Sequence, residues 1–177
     1  MLLGMLGAYA NNKTRFQIGN NENLFDYTYV GNVAQAHILA ALALTSPKHA
    51  DGVAGEAFFI TNDSPIYFWD FARKLWAMCA VEQGKPVVEP KDCWVLPEDV
   101  ARGIGQLLEW SFWLLGKTPR LTTKVVSYAC RTRYFNCSKA KQRLGYTPDV
   151  GLEEGLRRGV QWYMQGDRWN TLLGLKA

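Results

Sequence analysis

Tyr9 and Lys13 stand four residues apart in YANNK. On a helix that spacing sets the lysine beside the tyrosine, where its charge lowers the tyrosine's pKa and suits it to take a proton from a hydroxyl. The rest of such a site is missing. No serine precedes the pair, Asn11 and Asn12 weaken the helix between its members, and Phe16, Gln17 and Ile18 read as a strand almost at once. A surface tyrosine and lysine at a helix end is the plainer reading. Arg131 and Arg133 bracket Thr132; on a strand both would point the same way. They could meet an anion such as a carboxylate or diphosphate, the alternative being a solvated sheet edge. Asp26, Asp63 and Glu56 make no convincing carboxylate pair, since turn, cap and solvated-edge roles explain all three. His37 sits at the border of an alanine-rich helix, a structural place.

Other chemistries find no support. Cys79, Cys93, Cys130 and Cys137 lack close paired spacing, and His37 and His49 do not complete a zinc site. Reduced cysteines in a cytosol-facing protein are expected, with no metal. Gly4, Gly7, Gly103 and Gly105 do not follow a strand at dinucleotide spacing. There is no Walker loop, HExxH or GxSxG.

The elements that must position these residues are read from local pattern. The chain is organised around residues 24–44, LFDYTYVGNVAQAHILAALAL. An aromatic strand edge (Phe25, Tyr27, Tyr29, Val30) meets Gly31, Asn32 is expected to cap a helix, and Val33, Ala36, Ala40 and Leu44 recur on one face. So many small residues suggest a helix lying on a sheet. Residues 1–10 read as the remnant of a helix, 57–61 (AFFIT) as a strand, and 68–78 as an amphipathic helix. Glu98 and Asp99 open another helix, and 119–123 read as a loop before an apolar patch at Val125 and Val126. Residues 133–136 read as an edge strand, and 138–144 as a helix ended by Gly145. A last helix spans 152–163. The apolar run from Ile104 through Trp110 and Trp113 to Leu115 is read as a buried helix, or as one lying on a bilayer.

With 177 residues, 48% of them hydrophobic, the chain can bury a real core. One partial domain over 1–163 and a loosely held tail over 164–177 are expected. The net charge of +4 is scattered apart from Arg157, Arg158 and the stretch from Arg120 to Arg133. No nucleic-acid footprint is therefore expected. No apolar run reaches the roughly eighteen residues of a membrane span, and the N-terminus lacks a basic leader.

Three blocks in order, LFDYTYVGNVAQAHILAALAL, GEAFFITNDSPIYFWDFARKLW and RYFNCSKAKQRLGYTPDVGLEEGLRRGVQWY, resemble the 3β-hydroxysteroid dehydrogenase family of extended short-chain dehydrogenases, and within it the sterol-acting branch. The resemblance runs from Met1 to Tyr163. It implies an α/β fold: the C-terminal portion of such an enzyme, holding the last Rossmann elements and a mainly helical substrate-binding lobe. The family's NAD-binding glycines, serine and catalytic YxxxK belong to a preceding half, so Tyr9 and Lys13 fall after the catalytic pair. No catalytic residue is expected here. NAD or NADP would serve the full-length enzyme, and none is expected to bind this chain well.

The same resemblance brings Phe16, Gln17, Phe25, Tyr29 and Asn32 to the sterol cleft and makes 57–61 a sheet strand. It matches residues 94–115 to an insert associated with membrane contact, hence the cytosolic face of the endoplasmic reticulum, or alternatively the cytoplasm. The implied reaction oxidises a sterol 3β-hydroxyl and releases a 4α-carboxylate as carbon dioxide, with Arg131 or Arg133 available to that carboxylate. The isolated chain would be inactive. Its partners would be a sterol, peripherally a membrane, and a missing N-terminal half or a full-length homologue. Alternatives are a truncated lipid-binding or interaction module, or a fragment of a nucleotide-sugar epimerase, which the aromatic content disfavours.

Overall fold

The computed structural model describes residues 1–117, 119, 121–165 and 168–173. The chain divides into two compact units: 1–24, 67–132 and 160–177 contribute to one, 25–66 and 133–159 to the other.

In the first unit, α1 (Leu2–Ala10) ends at Asn11, and Asn12 takes φ +54°. β1 (Phe16–Ile18) then pairs in parallel with β4 (Trp94–Leu96), Ile18 opposite Leu96. β4 had no local signal beyond two apolar residues after a tryptophan. α3 (Phe68–Glu82) buries Phe71, Ala72, Leu75 and Trp76 at helical spacing. The Trp76 Nε1 donates to the Met5 carbonyl at 2.8 Å, fixing α1 on α3. α4 (Glu98–Leu114) merges the helix expected at Glu98 with the apolar run from Ile104.

The apolar patch at Val125 is a helix, α5 (Thr123–Cys130), because Thr122 Oγ1 accepts from Val125 N at 3.2 Å and caps it. The core here gathers Ile18, Ala101 and Val126, with Trp69, Leu96 and Leu121 against them. The expected loose tail contains α8 (Arg168–Leu173). Arg168 Nε donates to Trp162 O at 2.8 Å, and its guanidinium lies 4.4 Å from that indole. Gly166, Asp167 and residues 174–177 of the tail, with Arg120 of the expected loop, lie outside the described residues.

The second unit is built on α2 (Val30–Thr45), α6 (Ser138–Leu144) and the start of α7 (Leu152–Met164). β2 (Leu24–Phe25) and β3 (Ile66–Tyr67) are where the chain enters and leaves it. Ala36, Val53, Ala140, Leu144 and Tyr146 form its core, with Leu39, Ala40, Ala43, Phe58 and Ile60 packed against them. Gly145 ends α6 at φ +64°, a conformation that favours glycine.

Three local expectations are corrected. α2 starts at Val30, with Tyr29 as the N-cap and no side-chain cap, so Asn32 lies inside the helix. In residues 57–61 Phe58 and Ile60 are half-buried, Ala57 and Phe59 exposed and Thr61 buried, so the burial alternates as far as Ile60, but they form no strand. A strand exists only where a neighbour completes its ladder, and none does among the described residues. Residues 133–136 likewise reduce to one parallel bridge, Arg133 to Phe25.

Asn32 instead clamps the unit. Its Nδ2 donates to Val150 O at 2.8 Å and to Asn62 Oδ1 at 2.9 Å, while its Oδ1 accepts from Val150 N at 3.1 Å. Asn62 Nδ2 reaches the same Val150 carbonyl at 3.0 Å, and its Oδ1 also accepts from Tyr29 N at 2.9 Å. Truncating Asn32 to alanine leaves a half-buried amide and the Asn62 side chain short of partners. We expect Asn32→Ala to lower unfolding free energy by about 2–4 kcal/mol, read as a fall in the urea midpoint at unchanged slope; a loss under about 0.5 kcal/mol refutes the clamp.

Candidate functional site

The residues expected at a cleft divide between the two units, and most are engaged in holding their own unit. In the first, Phe16 opens β1 with its ring partly exposed. Gln17 is buried: its Nε2 donates to Gly19 O at 2.8 Å and its Oε1 accepts from Arg73 Nη1 at 2.8 Å. Arg73 also pairs with Asp70 at 2.6 Å, Asp70 accepts from Asn21 Nδ2 at 2.9 Å, and Asn21 Oδ1 takes the Trp69 N–H at 2.8 Å. Gln17 therefore begins a polar chain that starts α3; its amide is already used by protein. Arg131 follows α5 in extended conformation with its side chain exposed.

In the second unit Phe25 is buried, its ring 5.1 Å from that of Tyr27. Arg133, bridged to Phe25, gives its carbonyl to Asp26 N at 3.0 Å. Asp26 Oδ2 accepts from Phe135 N at 2.6 Å. This double tie fixes the backbone that presents Arg133, and sequence reasoning missed it because Asp26 read as a turn residue. The Tyr29 ring packs against α7: a Cβ built on Gly155 would lie 3.0 Å from it, and the Arg158 guanidinium is 5.9 Å from its centroid. Of the seven candidates, Phe25 and Arg133 are brought together; Gln17 and Asn32 are occupied by their own units.

Two carboxylates here differ. Burial raises Asp26 above the usual carboxylate value, opposed by the Phe135 N–H and reinforced by the charge of Asp63. Asp63 is held low, chiefly by its hydrogen bond from Lys141, with the Cys137 thiol donating at 3.4 Å. Tyr9 shows the opposite of base activation. Burial raises its pKa, its hydroxyl lies 3.4 Å from Gln83 Oε1, and α1 ends before Lys13. All four thiols are free; burial pushes Cys79 up to about 12 and Cys130 up to about 11, far from a reactive thiolate. No metal-holding group of side chains occurs among the described residues. The glycines do not fit a dinucleotide: Gly4 and Gly7 lie inside α1, Gly103 and Gly105 inside α4, and none of these four marks a strand-to-helix turn.

The run from Ile104 to Leu115 is not buried. α4 seats only Ala101 and Gly105 fully, and a Cβ on Gly105 would stand 3.1 Å from Thr123 N, so α5 lies very close. Glu109 is turned to that seam, accepting from Thr123 N at 3.0 Å and Oγ1 at 3.1 Å. Leu107 (69% exposed), Trp110 (71%), Trp113 (75%) and Leu114 (67%) face outward. No helix of the described residues is long and apolar enough to cross a membrane.

Comparison with known proteins now decides the family. The model of the 3-beta hydroxysteroid dehydrogenase/isomerase family matches residues 2–91. The chain belongs to this family. It is 49% identical over 154 residues to sterol-4-alpha-carboxylate 3-dehydrogenase, decarboxylating, of Saccharomyces cerevisiae, covering 87% of this chain and 42% of that protein. The Schizosaccharomyces pombe protein of the same name is 42% identical over 159 residues, 90% and 44% respectively. A mouse relative so named is 34% identical over 161 residues, 89% and 41%. The chain thus spans less than half the length of these curated relatives. Among solved structures, gox2253 superposes with a TM-score of 0.60 at 20% identity, covering 94% of this chain and 44% of that one. A dTDP-glucose 4,6-dehydratase of Bacillus anthracis, solved with NAD, gives 0.50 at 17%, covering 98% and 42%. The fold is that of part of a Rossmann-like α/β enzyme.

The raised Asp26 carries a signed consequence. Between its unfolded value near 3.8 and its higher folded value, the native state binds more protons than the unfolded state. Its contribution is therefore present below the unfolded pKa and lost as pH rises through the folded pKa. Asp26→Asn, which still accepts from Phe135 N, should gain on the parent as pH rises from acid toward neutrality, measured by denaturant midpoints. A difference that is flat with pH or shrinks contradicts the burial.

Proposed function

We propose that this chain is the substrate-side portion of a sterol-4α-carboxylate 3-dehydrogenase of sterol biosynthesis, working together with a nucleotide-binding half that supplies NAD(P) and the catalytic base. The 49% identity to the S. cerevisiae enzyme carries this reading. The supplied cofactor takes up hydride when bound; this chain's residues contribute to substrate binding. The 3-ketone formed by oxidation makes the 4α-carboxylate a β-keto acid, which releases carbon dioxide with the ketone as electron sink. Either Arg133, presented by its backbone ties to Phe25 and Asp26, or Arg131, exposed in the other unit, is the cation offered to that carboxylate before it leaves. Alone, the chain is inactive.

Sterols are nearly insoluble in water, and the outward face of α4 supports peripheral attachment at the cytosolic face of the endoplasmic reticulum. Leu107, Trp110 and Leu114 recur at three- and four-residue spacing on it, and the one charge among them in sequence, Glu109, is turned to the seam with α5. A truncated lipid-binding module is the second reading that this face supports.

Two measurements test these proposals. The chain is fused behind the part of the S. cerevisiae relative that precedes the matched region, and carbon dioxide release from a sterol 4α-carboxylate is followed. Activity should appear in the fusion and be absent from the chain alone. Arg133→Met or Arg131→Met should raise KM for the acid about tenfold or more and leave KM for a simple 3β-hydroxysteroid unchanged; equal effects remove the arginines from carboxylate binding. For attachment, the chain is sedimented with phosphatidylcholine vesicles. Trp110→Ser with Leu114→Ser should cut the bound fraction about tenfold or more, each lost side chain being worth roughly 1.5–3 kcal/mol. Undiminished binding excludes α4 as the contact.

A further inference from the structure

Eight of the chain's 20 basic residues and none of its 16 acids lie between Trp110 and Pro148. Within that stretch Lys139 and Arg143 are paired with Glu56, and Lys141 with Asp63. Lys117 and Lys124 differ: both are exposed, and neither has an acid partner among the described residues. The backbone sets their places. Lys117 N donates to Phe112 O at 2.9 Å, where the chain turns out of α4 at Gly116. Lys124 follows Thr123, which Glu109 holds against α4. Both cations therefore stand beside the C-terminal half of α4, whose exposed side chains include Trp110, Trp113, Leu114 and Leu115. The other end of α4 has the opposite sign. Glu98 and Asp99 open the helix; Arg102 pairs with Glu98, and Asp99 is exposed with no cation partner among the described residues.

We infer, resting on the attachment proposed above, that α4 docks tipped on an anionic bilayer. Trp110, Trp113, Leu114 and Leu115 enter the headgroup boundary, Lys117 and Lys124 bind acidic headgroups around them, and the end with Glu98 and Asp99 stays in water. Tryptophan and lysine together at a helix end suit this boundary: the indole sits at headgroup level while the ammonium reaches the phosphates. A neutral bilayer rewards the apolar stripe but gives the two ammonium groups no net counter-charge, whereas an acidic surface attracts each of them. The same surface repels Glu98 and Asp99, so one charge draws the C-terminal end down and lifts the other. A protein layer over this face would bury Lys117 and Lys124 unless it carried an acid opposite each.

The purified chain is sedimented with vesicles of phosphatidylcholine alone and with vesicles in which about one-third of the lipid is phosphatidylserine. The acidic vesicles should bind it about tenfold or more tightly, and salt at roughly 0.5 M should erase the difference. Lys117→Gln with Lys124→Gln should remove the preference while leaving phosphatidylcholine binding and melting unchanged. Lys48→Gln with Lys91→Gln, the same change in charge placed elsewhere, should keep it. Leu115→Ser should weaken binding to acidic vesicles about tenfold or more, and Val100→Ser, at the lifted end, by less than about twofold. Equal binding to both vesicles, or a preference that survives loss of Lys117 and Lys124, overturns the inference and leaves attachment standing. Equal losses from Leu115→Ser and Val100→Ser overturn the tipped pose. No binding to either vesicle refutes attachment, and the inference falls with it. The chain fused behind the preceding part of the S. cerevisiae relative should show the same preference; a fusion that binds neither vesicle assigns the face to that half and overturns both.

Discussion

α2 is a helix of small apolar residues that, among the described residues, is covered on one face. Ala36, Leu39, Ala40 and Ala43 lie against Val53, Phe58, Ile60 and Tyr146, while Ile38 and Leu42 remain open to water. Short side chains let a helix approach a flat surface closely, but they bury little area each. A one-sided contact of alanines is thin, and the second unit compensates with polar clamps. Asn32 and Asn62 hold both polar groups of Val150, and Tyr146, fully buried, spends its hydroxyl on Thr61 O. Such bonds contribute only about 1 kcal/mol each when made, but cost more when one partner is removed. The unit is held by geometry that tolerates little substitution rather than by bulk burial.

The same substitution of side chains for a backbone ladder recurs in the first unit. The two-stranded pairing of β1 with β4 is too small to stand unaided. Trp69 Nε1 donates to Ile18 O at 2.8 Å, and Gln17, Arg73, Asp70 and Asn21 form an unbroken chain from β1 to the first turn of α3. Arg73 is well placed for this: it is largely covered, and its planar fork serves Gln17 and Asp70 at once. Asn21 takes φ +61°, a region asparagine tolerates better than most residues, and that turn aims its amide at both Trp69 N and Asp70.

What could be read in advance follows the range of each interaction. The amphipathic faces of α3 and α7 and the Gly145 stop are written within a few residues, and the structure has them there. α5 was illegible because two valines favour strands slightly, whereas its helix depends on Thr122 and on Glu109, fourteen residues earlier. Residues 57–61 carry the right alternation, but being a strand is a relation with a neighbour. Asn32 had the right chemistry for a cap and the wrong place, since the acceptor of the Tyr29 N–H is Asn62, thirty-three residues on. Gln17 and Asn32 illustrate the limit for site residues. A polar side chain beside aromatic ones suits a ligand or a fold equally, and the choice is made by Arg73 and Val150 from remote parts of the chain.

The α4–α5 pair shows how a sequence can build an apolar surface on purpose rather than by neglect. From Gly103 to Gly116 there is one acid, Glu109, and no base. If Glu109 faced water, it would break the outward stripe. Instead its carboxylate receives the first N–H and the hydroxyl of α5, where the helix dipole favours a negative charge. Gly105 permits the close approach that this bond needs, since any larger residue would push the α5 backbone away. The one charge and the small residues lie on the seam, and the tryptophans and leucines are left outside. A helix merely short of core would scatter its exposed apolar residues; here the internal packing sorts them onto one side.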